Sequence, residues 1–421
     1  MKTAQSTCFY LATFLLLAAT THAAPKPNIV IIVADDLGWN DVSFHGTEIQ
    51  TPRIDSLVEA GAVLDRFYVC PVCSPTRAGL MTGRYPIRYG SMRAVYPPWR
   101  KGGLDPEETT LPEVLAKAGY EHRGAFGKWH LGHSNIQYHP LRRGFTEFVG
   151  HYNGAIDYFT LEREGERDWH RDYETNHDQG YSTDLIAEAA VDFINRHAQD
   201  DSPFLCYVPF NAPHSPFQAK DEDLETYAHL ADVDPFKNQN PAPKKHGMKG
   251  RGKSARQTLA AMIAAMDHGI GQILDALDQN HIAGNTLVWF FSDNGGTGPG
   301  DNTPLRDKKA TVFEGGIRAA AALRWPGRVA PASKIEAPLD YIDVLPTLMA
   351  ITGIQDHGGK PLDGQDATPI LTGTAQPKER TLYNYIGQPG EDKEQIALID
   401  GDWKLVVTGP NILDTSADDA K

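Results

Sequence analysis

Two pairs of short polar side chains stand where apolar runs end, and they are the first places where chemistry can be sought. Asp35-Asp36 follows the run Asn28 to Ala34, and Asp293-Asn294 follows Thr286 to Ser292. Three carboxylates and an amide oxygen make a hard, all-oxygen donor set, suited to Ca²⁺ or Mg²⁺ rather than zinc. No histidine neighbours either pair in sequence. Taken alone, Asp-Asp before Gly reads as a cap or turn, and Asp-Asn-Gly-Gly as a tight turn. Two such pairs at apolar run ends shift the reading toward a metal. A second set is basic: Arg77, Lys128, His130, His214 and Lys309. Lys128 and His130 are spaced i, i+2, which on an extended segment puts them on one face. Cationic and proton-carrying groups opposite an oxygen-ligated metal would form a pocket for a tetrahedral oxyanion. Cys70-Pro71-Val72-Cys73 has the spacing of a redox or zinc pair. It has no second such pair, and the proline after Cys73 argues against a thioredoxin-like helix start.

The elements that must position these groups follow from periodicity. Asn28 to Ala34 and Phe204 to Phe210 are apolar runs, as in strands covered on both faces, and Tyr120 to Gly127 and Thr286 to Ser292 also read as strands. Pro52–Gly61, Ala78–Thr82 (stopped by Gly83), Leu111–Ala118, Leu185–His197, Thr258–Leu277 and Asp343–Ile351 read as helices. Strands alternate with helices, so the fold class is α/β with a large, mostly parallel sheet sandwiched by helices. Polar clusters then fall at strand ends, where such folds place ligands. From Arg380 the pattern changes to a small antiparallel unit: Leu382 to Ile386, Gln395 to Asp400, a turn at Asp400-Gly401, and Trp403 to Val407. Lys237 to Arg256, with Lys244, Lys245, Lys249, Arg251 and Lys253, reads as a solvated mobile loop or a basic rim that recruits a polyanion. There is no internal repeat.

Length and composition bound the rest. The chain has 421 residues, 41% hydrophobic and 22% charged, which fits one large domain with a small appendage. Lys2, the apolar run Phe9 to Ala19 and the small-residue site around Ala23 read as a signal peptide over residues 1–23, too short to span a bilayer. The expectation is an exported protein, periplasmic or secreted, with no stable membrane association. The net charge of −14 excludes a general nucleic-acid binder, so an anionic substrate requires a locally basic pocket. Cys70, Cys73 and Cys206 remain after cleavage, an odd count that argues against a disulfide-built domain.

Five segments together resemble the type I, formylglycine-dependent sulfatases of the alkaline-phosphatase-like superfamily. They are Ala34-Asp35-Asp36-Leu37-Gly38; Cys73-Ser74-Pro75-Thr76-Arg77 with Leu80 to Arg84; Gly127 to Gly132; Asp293 to Gly296; and Phe313 to Arg318. Asp35 to Gly46 is similar to the arylsulfatase B (N-acetylgalactosamine 4-sulfatase) branch. The resemblance covers Asn28 to about Thr352. It implies a signal peptide (1–23), a catalytic domain (24–375) with an alkaline-phosphatase-like sheet, and a small C-terminal antiparallel subdomain (376–421); the family commonly continues further, so with Lys421 soon after Leu413-Asp414 the expectation is either an abbreviated appendage or a fragment. It implies conversion of Cys73 to Cα-formylglycine by a formylglycine-generating or sulfatase-maturating enzyme that reads Pro75 and Arg77. The hydrated aldehyde would attack sulfur, giving a calcium-bound sulfo-enzyme, and its second hydroxyl would expel sulfate. Asp35, Asp36, Asp293, Asn294 and residue 73 would bind one Ca²⁺, in preference to Mg²⁺. Arg77 and Lys128 would hold the hydrate. His130 would be the base for elimination. His214 and Lys309, the latter chosen over Lys308 by its spacing to Glu314, would grip the sulfate. The implied substrate is a sulfated carbohydrate, 4-O-sulfated galactose or N-acetylgalactosamine in a glycosaminoglycan or algal galactan. Trp99, Arg100, Arg142 and Arg143 are rim candidates, while Trp129 and Phe313 read as packing residues. The alternatives are a phosphomonoester or phosphonate hydrolase of the same superfamily and a non-catalytic sulfoglycan-binding relative. The presence of Cys73 with Pro75 and Arg77 argues against the first. The complete ligand set argues against the second.

Overall fold

The computed structural model describes residues 25–92, 95–233, 249–376, 379–387, 393–410 and 412. In chain order the elements that frame the site are β1 (Asn28–Ala34), α1 (Pro52–Glu59), β2 (Ala62–Leu64), α2 (Cys73–Thr82), α3 (Leu111–Lys117), β3 (His122–Lys128), β4 (Glu147–His151), β5 (His170–Arg171), β6 (Glu174–Thr175), α4 (Ser182–His197), β7 (Phe204–Pro209), α5 (Ala255–Gln279), β8 (Thr286–Ser292), β9 (Ala321–Arg324), β10 (Ser333–Ile335) and α6 (Val344–Thr352). The C-terminal strands are β11 (Thr381–Ile386), β12 (Glu394–Asp400) and β13 (Trp403–Gly409).

One ten-stranded sheet runs in the order β10-β2-β9-β8-β1-β7-β3-β4-β5-β6. Its centre, from β8 through β4, is parallel. Strands at both margins turn antiparallel. The apolar run of β1 explains its central place. Val30, Ile32 and Ala34 pack on the side of α4 and α5. Ile29, Ile31 and Val33 pack on the opposite side with residues of α2, α3 and α6. A strand with two apolar faces can only be buried under helices on both. The three C-terminal strands form a separate antiparallel sheet, with Asp400 opposite Trp403 across a two-residue turn.

Two segments depart from expectation. Helix α2 begins at Cys73, not Ala78, with Pro75 inside its first turn. Proline is tolerated there because first-turn amides have no intrahelical acceptor, so Pro75 does not delay the helix. Arg256 does not belong to a solvated loop. Ser254 caps α5 by accepting from the Gln257 amide, and Arg256 is buried in the first turn, paired with Asp41 and Glu48. Most of the remaining basic stretch, the signal-peptide segment and Leu413-Asp414 lie outside the described residues. Among the described residues, no helix is long and apolar enough to cross a membrane.

Candidate active site

β1 and β8 are parallel neighbours in register, Ala34 beside Ser292, so their trailing residues emerge together at one sheet edge. The Asp293 amide donates to the Ala34 carbonyl at 2.9 Å and locks the two strand ends to each other. Asp35, Asp36, Asp293 and Asn294 are all buried. Asp36 has a left-handed backbone, φ 67°, a conformation that Asp tolerates better than most residues and that concentrates at functional sites.

The first turn of α2 faces this edge. Cys73 Sγ, Asp35 and Asp293 offer ligand atoms within 4.8 Å of one another. The Thr76 hydroxyl donates to the Asp293 carbonyl at 2.6 Å and accepts from the Cys70 amide at 3.0 Å, which pins the turn. Arg77 is fully buried; its Nε donates to Asp293 Oδ2 at 2.9 Å and its Nη1 to the Lys128 carbonyl at 2.7 Å. Lys128, at the end of β3, reaches Asp35 Oδ2 at 2.5 Å. His130 follows it with φ 55° and holds Nδ1 3.3 Å from Cys73 Sγ. His214 Nε2 lies 3.6 Å from Asp36 Oδ2. Lys309 contacts Asp36 Oδ1 at 2.5 Å, whereas Lys308 is exposed. The spacing to Glu314 has a different meaning from the one inferred, because Glu314 pairs with Lys404 and Arg318. All ten chemistry-bearing candidates therefore converge, and His214 comes beside the carboxylates although nothing in the sequence puts it there.

The charge balance of the cluster is unusual. Burial and the neighbouring Asp35 push the Asp293 carboxyl up to about 6, against the pull of Arg77 and Lys128. Burial also opposes ionisation of Asp36, but Lys309, His214 and Lys128 outweigh it and hold that carboxyl well below the usual range. Burial works against the Lys309 ammonium, yet Asp36 raises it. Burial, then Lys128 and Arg77, drive His130 far below its ordinary value, so its imidazole is neutral. Burial likewise lowers His214, to about 3. The Cys73 thiol is pushed up by burial and is not a ready thiolate.

The donor set fits a hard cation. Asp35 Oδ1 and Asn294 Oδ1 are buried and accept no hydrogen bond, while the Asn294 amide nitrogen is spent on Asp36 Oδ1. Unpaired oxygens beside a carboxyl lifted to about 6 mark an excess of acceptor and negative character that a divalent ion would relieve.

Several positioning residues escaped sequence reasoning. Ser74 donates to the His130 carbonyl at 3.0 Å. Tyr158, wholly buried, donates to the Asn211 and His214 carbonyls and fixes the His214 loop. Asp168 accepts from the Tyr152 and Asn153 amides, ordering the segment behind His130. Only Ser74 carried a signal, its place inside the cysteine motif. Of the rim candidates, Arg143 is a buried structural tie, donating to the Asp105 and Glu108 carbonyls, because its long stem lies inside the fold. Trp129 is buried, as a packing residue should be. Cys70 and Cys73 are not a pair: Cys70 Sγ faces the Tyr341 hydroxyl at 3.0 Å, away from His130, and both are free.

The family model described as Sulfatase matches residues 27–354. The mouse (Mus musculus) N-acetylgalactosamine-6-sulfatase is 33% identical over 412 residues, covering 91% of this chain and 73% of the relative. Bovine (Bos taurus) arylsulfatase A is 34% identical over 430 residues, covering 96% and 80%. Among solved structures, Ps i-CgsB in complex with k-i-k-neocarrahexaose superposes with a TM-score of 0.80 at 32% identity, over 92% of this chain and 84% of that one. With a family match across most of its length and relatives above 30% identity, this chain belongs to the sulfatase family and is a sulfuric-ester hydrolase.

Proposed function

We propose that the enzyme removes sulfate from a 4-O-sulfated galactose or N-acetylgalactosamine of a glycosaminoglycan or algal galactan, using residue 73 as a formylglycine. The observation that carries this reading is the place of Cys73: a buried thiol disfavoured as a thiolate, at the N-terminus of α2, among metal-type acceptors and facing a neutral imidazole. An inert thiol in that position calls for conversion to another nucleophile. The formylglycine aldehyde, once hydrated, would supply one hydroxyl to attack sulfur as the ester S–O bond breaks and the sugar alcohol leaves, and a second whose deprotonation would expel sulfate and restore the aldehyde. Asp35, Asp36, Asp293, Asn294 and residue 73 would hold one Ca²⁺, which would neutralise charge and acidify the hydroxyl.

The remaining steps belong to the chain's own side chains. Neutral His130, with Nδ1 3.3 Å from the group at position 73, is in the form and at the distance to take a proton from it. Arg77 and Lys128 balance the carboxylates and orient residue 73. With Asp36 committed to a cation, Lys309 and His214 are placed to hold sulfate oxygens and assist the leaving oxygen. The sugar assignment draws support from a relative whose name carries N-acetylgalactosamine and a neighbour that holds a neocarrahexaose. The 4-O position rests on the resemblance of Asp35 to Gly46, and 6-sulfatases stand among the relatives, so both positions need testing. We further propose export after removal of residues 1–23, maturation by a formylglycine-generating enzyme, and a division into a catalytic domain (24–375) and a C-terminal subdomain (376–421).

The test pairs two measurements. Peptide mass spectrometry of protein co-expressed with a maturation enzyme is expected to show formylglycine at position 73. Sulfate release is expected to be fastest from 4-O-sulfated members of a panel of 4-O- and 6-O-sulfated galactose and N-acetylgalactosamine. An active preparation with an intact thiol would overturn the nucleophile, and preference for 6-O-sulfate would overturn the position.

A further inference from the structure

A cavity opens near His130 in the chain, and none of the proposed catalytic residues lines it. It has a volume of 310 Å³ and is walled by Gly132, Asn135, Ile136, His139, Tyr152 and Tyr173, among others. That volume is at the lower end of the range for small-molecule sites. Its mouth gathers large apolar side chains that folding leaves in water. Ile136 is 56% exposed and Tyr173 47% exposed. Trp99, 73% exposed, is held nearby because the adjoining Pro98 carbonyl meets His133 Nε2 at 3.0 Å. Scattered apolar residues need no explanation, but a group of them around one concavity marks a binding surface. Arg142 lies 6.0 Å from the Tyr173 ring centroid, and Tyr173 packs on His139 at 4.5 Å between centroids. The cavity thus joins aromatic and aliphatic faces to imidazole and amide polar groups, with a cation packed on one wall residue, a combination that suits a sugar ring bearing an anionic substituent.

The walls are tied to the catalytic histidine. The His130 amide donates to the Tyr152 carbonyl at 3.1 Å, and Gly154, two residues on, lies so close to the imidazole that a Cβ there would stand 2.4 Å from His130 Cε1. Gly132 is two peptide units from His130, at most about 7 Å along the chain. A sugar in this cavity would therefore neighbour one whose sulfate is being cleaved.

We infer that this cavity is a subsite for the adjoining, sulfated sugar of the same oligosaccharide, with Tyr173 and Ile136 as an apolar wall at its mouth and Arg142 reading the anionic group. The inference rests on the proposed action on sulfated glycans. It predicts that the enzyme prefers extended substrates. The test compares kcat/KM for a carrageenan hexasaccharide and a chondroitin sulfate hexasaccharide with kcat/KM for 4-nitrophenyl sulfate, which cannot fill both sites. In Tyr173→Ala the ratio of the better hexasaccharide to the aryl ester is expected to fall about tenfold, mostly through KM. In Tyr173→Phe, which keeps the ring, the ratio is expected to stay near that of the wild type. A general folding defect would lower both rates and leave the ratio in place. An unmoved ratio in Tyr173→Ala, or turnover of the aryl ester with neither hexasaccharide cleaved, overturns the subsite and spares the sulfatase chemistry. Loss of hydrolysis of every sulfate ester by the matured wild-type chain overturns both.

Discussion

Asp41 and Asp267 are buried as deeply as Asp35 and Asp36, yet the fold treats the two groups in opposite ways. Asp41 accepts from the Gly38 and Asp301 amides and from Arg256, using both oxygens. Asp267 receives the Arg53 and Ile54 amides at the start of α1, again on both oxygens. These carboxylates are finished by protein donors. At the strand ends the reverse holds: three cationic side chains crowd the carboxylates, but Asp35 Oδ1 and Asn294 Oδ1 are left with no donor. A satisfied buried carboxylate is architecture, and an unsatisfied acceptor among fixed charges is a place kept for a ligand.

The sharpest way to break the comparison is at residue 73, inside the unfinished set. Cys73→Ala is expected to lower sulfate release by at least about 10³-fold, since no other nucleophile occupies the site. Circular dichroism should show the fold intact. Residual release within tenfold of the wild type would remove Cys73 from the chemistry.

Calcium separates the two groups directly. Added Ca²⁺ is expected to raise the unfolding midpoint of the wild type, by about 2.7 kcal/mol of stability at a hundredfold excess over Kd, and chelation should reverse it and reduce turnover. In Asn294→Ala, which deletes one of the two donorless oxygens, that increment should shrink or vanish. Were the increment undiminished in Asn294→Ala, the ion would be bound somewhere else.

The finished group should respond differently. Arg256→Met leaves Asp41 buried without its cation, and breaking a buried pair from one side costs about 3 kcal/mol. Denaturant unfolding should show that loss with the calcium increment preserved, because Asp41 is no part of the ion's donor set. Loss of the increment together with the stability would show that the two clusters are one.

The sequence made much of the unfinished group legible and almost none of the finished one. Asp35-Asp36 and Asp293-Asn294 stand out because apolar strand runs end at them, and parallel pairing of β1 with β8 brings such ends together. The central strands and main helices were legible for the same reason, continuous apolar runs and 3.6-residue periodicity. What failed was short-range detail and long-range partnership. α2 starts at Cys73 rather than Ala78, and Pro75 fits its first turn because a proline there costs no hydrogen bond. Arg256 looked like one more charge in a basic stretch, since its partners Asp41 and Glu48 lie more than 200 positions away. Tyr158, which fixes the His214 loop, has no local pattern at all.

The smallest test concerns Asp267 and its dependence on pH. Burial lifts its carboxyl to about 6, even though the Ile54 and Arg53 amides pull it down. Between about pH 4 and 6 the folded protein therefore holds a proton at this site that the unfolded chain has released. Stability from this group is present at the acidic end of that window and is lost as the pH rises through it. Asp267→Asn carries no titrating group, so its stability lacks this slope while one oxygen still accepts from the α1 amides. Unfolding free energies measured in urea from pH 4 to 7 should show the wild type losing about 2 kcal/mol relative to Asp267→Asn over that range. Parallel curves would mean that the amides hold the carboxyl ionised throughout. The finished carboxylates would then be more completely compensated than burial allows, and the contrast with Asp293, lifted to about 6 beside Asp35, would be wider than drawn.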